Sequence, residues 1–149
     1  MRIFVLSMLS FSFITLSAQT KEDSVKATIN TMFTAMKNAD TALLRSVFAD
    51  SAILQTIART KNGVVVVKNE PLKDFIDFLA KEKVGAADER ISFETVKVDG
   101  ALAMAWTPYK FYYNGNFSHC GVNSFQLVKL NGEWKIQYII DTRRRQGCE

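Results

Sequence analysis

The sequence predicts an α+β domain: a strongly curved antiparallel sheet, with three helices from the N-terminal half packed on its concave face to make a cone-shaped barrel. Three observations carry this. Asn114-Gly115 and Asn131-Gly132 separate three long amphipathic segments, and asparagine and glycine accept the positive φ of tight hairpin turns. The last segment, Glu133-Trp134-Lys135-Ile136-Gln137-Tyr138-Ile139-Ile140-Asp141-Thr142-Arg143, needs a cover for its apolar side. That cover is upstream, at residues 23–39, 40–48 and 71–81, where apolar residues recur at helical spacing.

The elements follow in order. Arg2, the apolar run from Ile3 to Leu16 and the small residues Ser17 and Ala18 have the pattern of a secretory signal peptide, residues 1–18, leaving a single domain over residues 19–149. That run is shorter than the roughly 20 residues a membrane span needs, so no span is expected. Val25, Ile29, Met32, Phe33 and Met36 share one face of a first helix, with Glu22 and Asp23 at its positive end. Asp40 caps a second, short helix carrying Leu43, Leu44, Val47 and Phe48. A strand over 52–60, a turn at Lys61-Asn62-Gly63 and the valines 64–67 form a first hairpin. Pro71 opens a third helix through Phe75, Ile76 and Leu79. After a loop at 84–88, strands are predicted over 91–98, 101–113, 117–129 and 133–143, the first two joined at Asp99-Gly100.

With 149 residues, 48% of them hydrophobic, the chain can bury a real core. The formal charge is +4, and +3 without residues 1–18. Only Arg143-Arg144-Arg145 clusters, and no element alternates basic and aromatic residues, so nucleic acid is not an expected partner. The arginine triplet reads as a solvated strand exit, with an anion site as the alternative. Cys120 and Cys148, an even count in an exported chain, favour one disulfide worth on the order of 3 kcal/mol over two free thiols. A metal site is not expected, because His119 is the single histidine and no fourth ligand accompanies it and the two cysteines. No cofactor is expected either.

Register arguments place the candidate site. A two-residue turn at Asn131-Gly132 sets Lys129 opposite Trp134, Leu127 opposite Ile136, Phe125 opposite Tyr138, Asn123 opposite Ile140 and Gly121 opposite Thr142. This apolar side is the concave one, and His119 continues it, whereas Asp141 falls on the other face unless a β-bulge intervenes. The neighbouring hairpin stays open between two phases. A two-residue turn directs Leu102, Met104, Trp106 and Tyr112 inward; a three-residue turn directs Ala103, Ala105, Thr107, Tyr109 and Phe111 inward. Gly121 and Pro108 mark bends.

The order helix, short helix, hairpin, helix, long antiparallel strands, closing on Gly132-Glu133-Trp134-Lys135-Ile136, resembles the nuclear transport factor 2-like superfamily, which includes SnoaL-like cyclases and ketosteroid isomerase. Asp40 to Leu54 looks like that superfamily's passage from second helix to first strand. The resemblance covers nearly all of residues 21–142. It implies a cone with an internal pocket and, in many members, a dimer through the outer sheet face. It carries over no catalytic residue, because the tyrosine and aspartates of ketosteroid isomerase have no matching positions.

Three functions compete. The first is an exported domain, secreted or periplasmic, that holds a small, partly apolar molecule, with Trp106, Tyr109, Tyr112, Phe125 and Ile140 walling the pocket and His119, Asn123 and Tyr138 orienting the occupant. The second is an isomerase, dehydratase or cyclase with His119, or an inward-turned Asp141, as general base and Tyr109 or Tyr112 donating to an oxyanion. The third is a homodimeric interaction module using Val122, Ser124, Gln126, Lys135, Gln137 and Ile139 on the outer sheet face.

Overall fold

A computed structural model describes residues 20–148. The expected signal segment, residues 1–18, lies outside the described residues. Thr20 caps α1 (Lys21–Lys37) in a reciprocal box: its hydroxyl accepts from the Asp23 amide at 3.1 Å while its own amide donates to the Asp23 carboxylate at 3.2 Å. All five apolar residues of the predicted helical face are buried. Asp40 caps α2 (Thr41–Ser46) by accepting from the Leu43 amide, and Pro71 precedes α3 (Leu72–Leu79). Among the described residues no helix is long and apolar enough to cross a membrane.

Seven strands form one curved, unclosed sheet: β1 (Phe48–Arg59), β2 (Val65–Asn69), β3 (Ala87–Ile91), β4 (Thr95–Asp99), β5 (Leu102–Tyr113), β6 (Asn116–Leu130) and β7 (Glu133–Arg144), ordered β2-β1-β7-β6-β5-β3 with β4 also on β5. The sheet is mixed, because β1 runs parallel to β7. No hairpin joins these two strands, so no turn forces them antiparallel, and the long intervening chain supplies the crossover.

The predicted loop at 84–88 and single strand at 91–98 need correction. Strand structure begins at Ala87, then breaks at Ser92-Phe93-Glu94, so that β3 and β4 line one edge of β5 end to end. The break lies beside Pro108, whose carbonyl accepts from the Ser92 amide at 3.0 Å. A strand residue's N and O point to the same side, so the donor that Pro108 lacks falls at the break and leaves the β5–β6 ladder whole.

Two bulges reset the side-chain alternation. Lys129 faces Trp134 and Leu127 faces Ile136, as the turn requires, but Gln137 is then an extra residue, and Gln126 faces Tyr138, Phe125 faces Ile139, Asn123 faces Asp141 and Gly121 faces Arg143. The predicted pairings of Phe125, Asn123 and Gly121 are therefore each one residue out. Gln137 is held by Ser51: its amide nitrogen donates to the Ser51 carbonyl at 2.9 Å, where β1 is itself irregular between Phe48 and Ile53. In β6, Ser118 is the extra residue, since Phe111 faces His119 and Tyr112 faces Phe117. The Asn114-Gly115 turn thus spans two residues, yet the bulge gives the inward set expected of three: Ala103, Ala105, Thr107, Tyr109 and Phe111.

The core lies between α1 and the concave face, where Phe33 meets Phe125 edge-on at 6.1 Å and Val25, Ile29, Leu127 and Ile136 are sealed from solvent. Gly121 sits where β6 and β7 approach so closely that a Cβ would stand 1.7 Å from the Thr142 carbonyl oxygen and 2.7 Å from the Tyr109 ring. On the outer face, Cys120 is bonded to Cys148 across 28 residues, tying the tail to the sheet. Replacing Cys148 with alanine should lower the free energy of unfolding by about 3 kcal/mol in urea titrations. Reductant should bring the parent protein to the same midpoint; coincident curves for oxidised parent and variant would refute a stabilising role for this bond.

Candidate functional site

A cavity of about 500 Å³ opens between the concave face and helices α1 and α3. Met32, Phe33 and Met36 from α1, Phe75 and Phe78 from α3, and Leu54, Phe111 and Ile139 from the sheet form its apolar wall. These positions follow from helical spacing on one side and strand alternation on the other. The polar end is built by Glu89 on β3, Tyr109 on β5, His119 and Asn123 on β6, and Asp141 and Arg143 on β7, with Glu70 and Asp74 entering from the segment around Pro71.

These groups form a connected network. The Tyr109 hydroxyl can donate to Asp141 Oδ2 at 3.0 Å or to the Thr142 carbonyl at 2.9 Å, its ring fitting beside Gly121. Arg143 Nε donates to the same Asp141 oxygen at 2.8 Å, and its Nη2 reaches Glu70 Oε2 at 2.9 Å. Asn123 Nδ2 donates to Glu89 Oε1 at 2.7 Å. Asp141 is 93% buried, from a relative exposure of 7%, and among the described residues its Oδ1 has no donor. His119 meets Tyr109 edge-on at a centroid distance of 5.7 Å and Phe111 at a tilt at 5.1 Å, with Nδ1 near Ser118 Oγ.

Burial pushes the Glu89 carboxyl from its ordinary 4.5 up to about 7; the Asn123 hydrogen bond and the Arg143 charge oppose the rise, and the Asp141 charge adds to it. Burial and the charges of Asp141 and Glu89 raise Tyr109, which keeps its proton. His119 is lowered, by burial first and then by Arg143, so its imidazole is neutral at pH 7. Arg143 is raised: burial works against its charge, but the hydrogen bonds and charges of Asp141 and Glu70 outweigh it. The site therefore offers a carboxyl that can hold or release a proton near neutrality, beside a tyrosine donor and a neutral imidazole. Among the described residues no three His, Cys, Asp or Glu side chains converge as metal ligands.

The structure sorts the residues named from sequence. Tyr109, His119, Asn123 and Asp141 lie on the cavity wall, and Phe125 is sealed in the core beneath it. Trp106, Tyr112, Tyr138 and Ile140 do not line the cavity. The Ser118 bulge sends Trp106, which is 41% exposed, and Tyr112 outward, where Arg90 stacks on the Tyr112 ring at 4.1 Å. The Gln137 bulge sends Tyr138 and Ile140 outward, where the Tyr138 hydroxyl donates to Gln55 Oε1 at 2.6 Å. The same bulge turns Ile139 inward, so it leaves the predicted outer face. All three arginines of the triplet are exposed, as a solvated strand exit predicts, but Arg143, with its side chain 44% exposed, is also ion-paired to Asp141 and Glu70 on the cavity wall. Sequence reasoning missed Glu89 because the predicted strand starts four residues too late, at 91 and not 87; the alternation Ala87, Glu89, Ile91 is the signal that points it inward.

Fold and site together define a nuclear transport factor 2-like (NTF2-like) cone with a partly polar cavity. The chain belongs to the family described as "putative lumazine-binding", which it matches over residues 20–138. Among solved structures, it resembles an NTF2-like protein of unknown function from Shewanella baltica, with TM-score 0.63 and 14% identity, covering 83% of this chain and 93% of that one. A Nostoc punctiforme protein of unknown function with a cystatin-like fold gives TM-score 0.65 at 13% identity, covering 87% of this chain and 97% of its own. A protein from Streptomyces avermitilis described as a putative dehydratase from the NTF2-like family gives 0.61 at 14%, covering 83% and 95%. At such identities the likeness is one of fold. No curated protein matches the chain.

Glu89 makes stability depend on pH. Between pH 4.5 and about 7 the folded chain holds a proton there that the unfolded chain releases, so this group's contribution is full below pH 4.5 and is lost as pH rises to about 7. Glu89→Gln should match the parent near pH 4.5 and exceed it by about 3 kcal/mol at pH 8 in urea denaturation. Parallel pH profiles for the two proteins would show that Glu89 titrates normally.

Proposed function

We propose that this protein is an exported small-ligand-binding domain that holds a partly apolar molecule inside the cone. The observation that carries this reading is the cavity of about 500 Å³, with an apolar wall closing on a polar network at one end. Small-molecule sites have that size and that distribution of polarity. The family's description as lumazine-binding supports a small molecule as occupant. Export is supported by the Cys120–Cys148 disulfide, which persists in oxidising compartments, and by the signal-like composition of residues 1–18. A homodimer through the outer sheet face is supported by Ile53, Leu102 and Trp106, exposed there by 51%, 53% and 41%. N-phenyl-1-naphthylamine, a neutral apolar fluorophore, should brighten and shift to the blue on binding. Leu54→Trp, which adds a ring to the cavity wall, should weaken that binding about tenfold while circular dichroism stays unchanged. A folded variant that binds the fluorophore as well as the parent does would remove the cone as the site.

Glu89 favours a second reading, a small isomerase, dehydratase or cyclase, and the dehydratase description of one structural neighbour supports it. Asp141 is ion-paired with Arg143 and the His119 imidazole is lowered by burial, whereas the Glu89 carboxyl lies at about 7, so Glu89 is better tuned than either as general base at neutral pH, with Tyr109 as donor to a developing oxyanion. β-Tetralone incubated with the protein in deuterium oxide should gain deuterium next to its carbonyl faster than in buffer, and Glu89→Gln should abolish the gain. Exchange at the buffer rate would eliminate this reading and leave the first intact.

A further inference from the structure

We propose that the cavity selects a small organic cation: a molecule with an apolar, ring-sized body and an ammonium group directed between Glu89 and Asp141. The inference rests on the small-ligand reading and adds the charge of the ligand to it. Among the described residues four carboxyl groups line the cavity, from Glu70, Asp74, Glu89 and Asp141, against one guanidinium, that of Arg143. Arg143 is committed to Asp141 and Glu70, at 2.8 and 2.9 Å, and leaves little positive charge to offer an anion. This negative balance occurs in a chain whose formal charge is +4, so it is a property of the site and not of the composition.

Hydrogen-bonding capacity is unbalanced in the same direction. Asp141 is buried on the cavity wall, and its Oδ1 accepts from nothing among the described residues. Among the described residues Glu89 receives a single side-chain bond, from Asn123. The polar end thus has acceptors in excess of donors, and an ammonium group supplies up to three donors. A carboxylate or phosphate would instead meet lone pairs and like charge. Phe75, Phe78 and Phe111 line the apolar part of the space and Tyr109 the polar end, and the faces of such rings attract cations.

Protonation couples to this choice. Glu89 accepts from Asn123 of β6 and feels the charges of Asp141 and Arg143 of β7, and its own charge acts in turn on Tyr109 of β5; His119, Glu70 and Asp74 are the other titratable groups on the cavity wall, and α1 brings to it the apolar Met32, Phe33 and Met36. An ammonium placed beside Glu89 stabilises its charged form and expels the proton that it holds near neutrality. Cation affinity therefore rises as pH increases through about 7, and binding releases protons.

Three probes with one phenyl ring each test the charge: 2-phenylethylamine, 2-phenylethanol and 3-phenylpropionate, competing with N-phenyl-1-naphthylamine on the unaltered protein. The amine should displace the fluorophore at a concentration at least about tenfold below that of the alcohol, with the carboxylate weakest. Calorimetry of the amine in two buffers of different ionisation enthalpy should reveal proton release, and Glu89→Gln should narrow the gap between amine and alcohol. If the fluorophore binds and the alcohol competes as well as the amine, the preference for cations is overturned while the cavity remains a binding site. If neither the fluorophore nor any probe binds, both readings fall together.

Discussion

The phase of side-chain alternation in β7 governs this site, and Gln137 sets that phase. A strand sends successive side chains to opposite faces, so one inserted residue exchanges every position beyond it. Without the insertion, Tyr138 and Ile140 would face the helices and the far end of the cavity would be mostly apolar. With it, Ile139, Asp141 and Arg143 face inward, and a charged network closes the cone. The insertion is held in place by the Ser51 contacts and by the irregular stretch of β1 that runs beside it. Bulges in bent sheets commonly re-aim side chains in this way.

Having turned two charged residues inward, the fold must accommodate them. An isolated buried carboxylate is costly unless it is paired or neutralised. The structure uses both solutions within one cavity: Asp141 shares the Arg143 guanidinium with Glu70 and accepts from Tyr109, whereas Glu89, which accepts from the neutral Asn123 amide, shifts toward its protonated form. Two carboxyls of similar chemistry are thereby separated by their surroundings into a paired anion and a proton reservoir. Gly121 makes the arrangement possible, since any side chain there would collide with the Thr142 carbonyl and the Tyr109 ring.

Most of the architecture was legible because its signals are local. Helical spacing places Val25, Ile29, Met32, Phe33 and Met36, the Asn-Gly pairs place the hairpins, and Asp40 places a cap. Register was legible only up to the first bulge: Lys129–Trp134 and Leu127–Ile136 follow from the turn, while Phe125–Tyr138 and everything beyond it do not. A bulge depends on what a neighbouring strand can bond, here Ser51 reaching Gln137 from 86 residues away in sequence, and no local pattern encodes that. The parallel pairing of β1 with β7 is invisible for the same reason. The pairing of Arg143 was unreadable within its triplet because composition cannot separate an unpaired exposed guanidinium from an exposed one whose two partners, Asp141 and Glu70, lie far apart in sequence.

The charge of the cavity and that of the whole chain act over different distances. The net positive charge of the domain sets a weak field outside it, which at physiological ionic strength decays within about 8 Å. Inside the cone, apolar walls lower the local dielectric and exclude counterions, so the same number of charges acts far more strongly. A ligand approaching from solution meets little discrimination by charge until it enters the cavity. Selection therefore takes place within the cavity, between desolvation of the ligand's polar group and the acceptors waiting at Glu89 and Asp141. A neutral apolar molecule gains only the wall, an anion loses its hydration without replacement, and a cation recovers its lost hydration from carboxylates whose own burial it makes less costly.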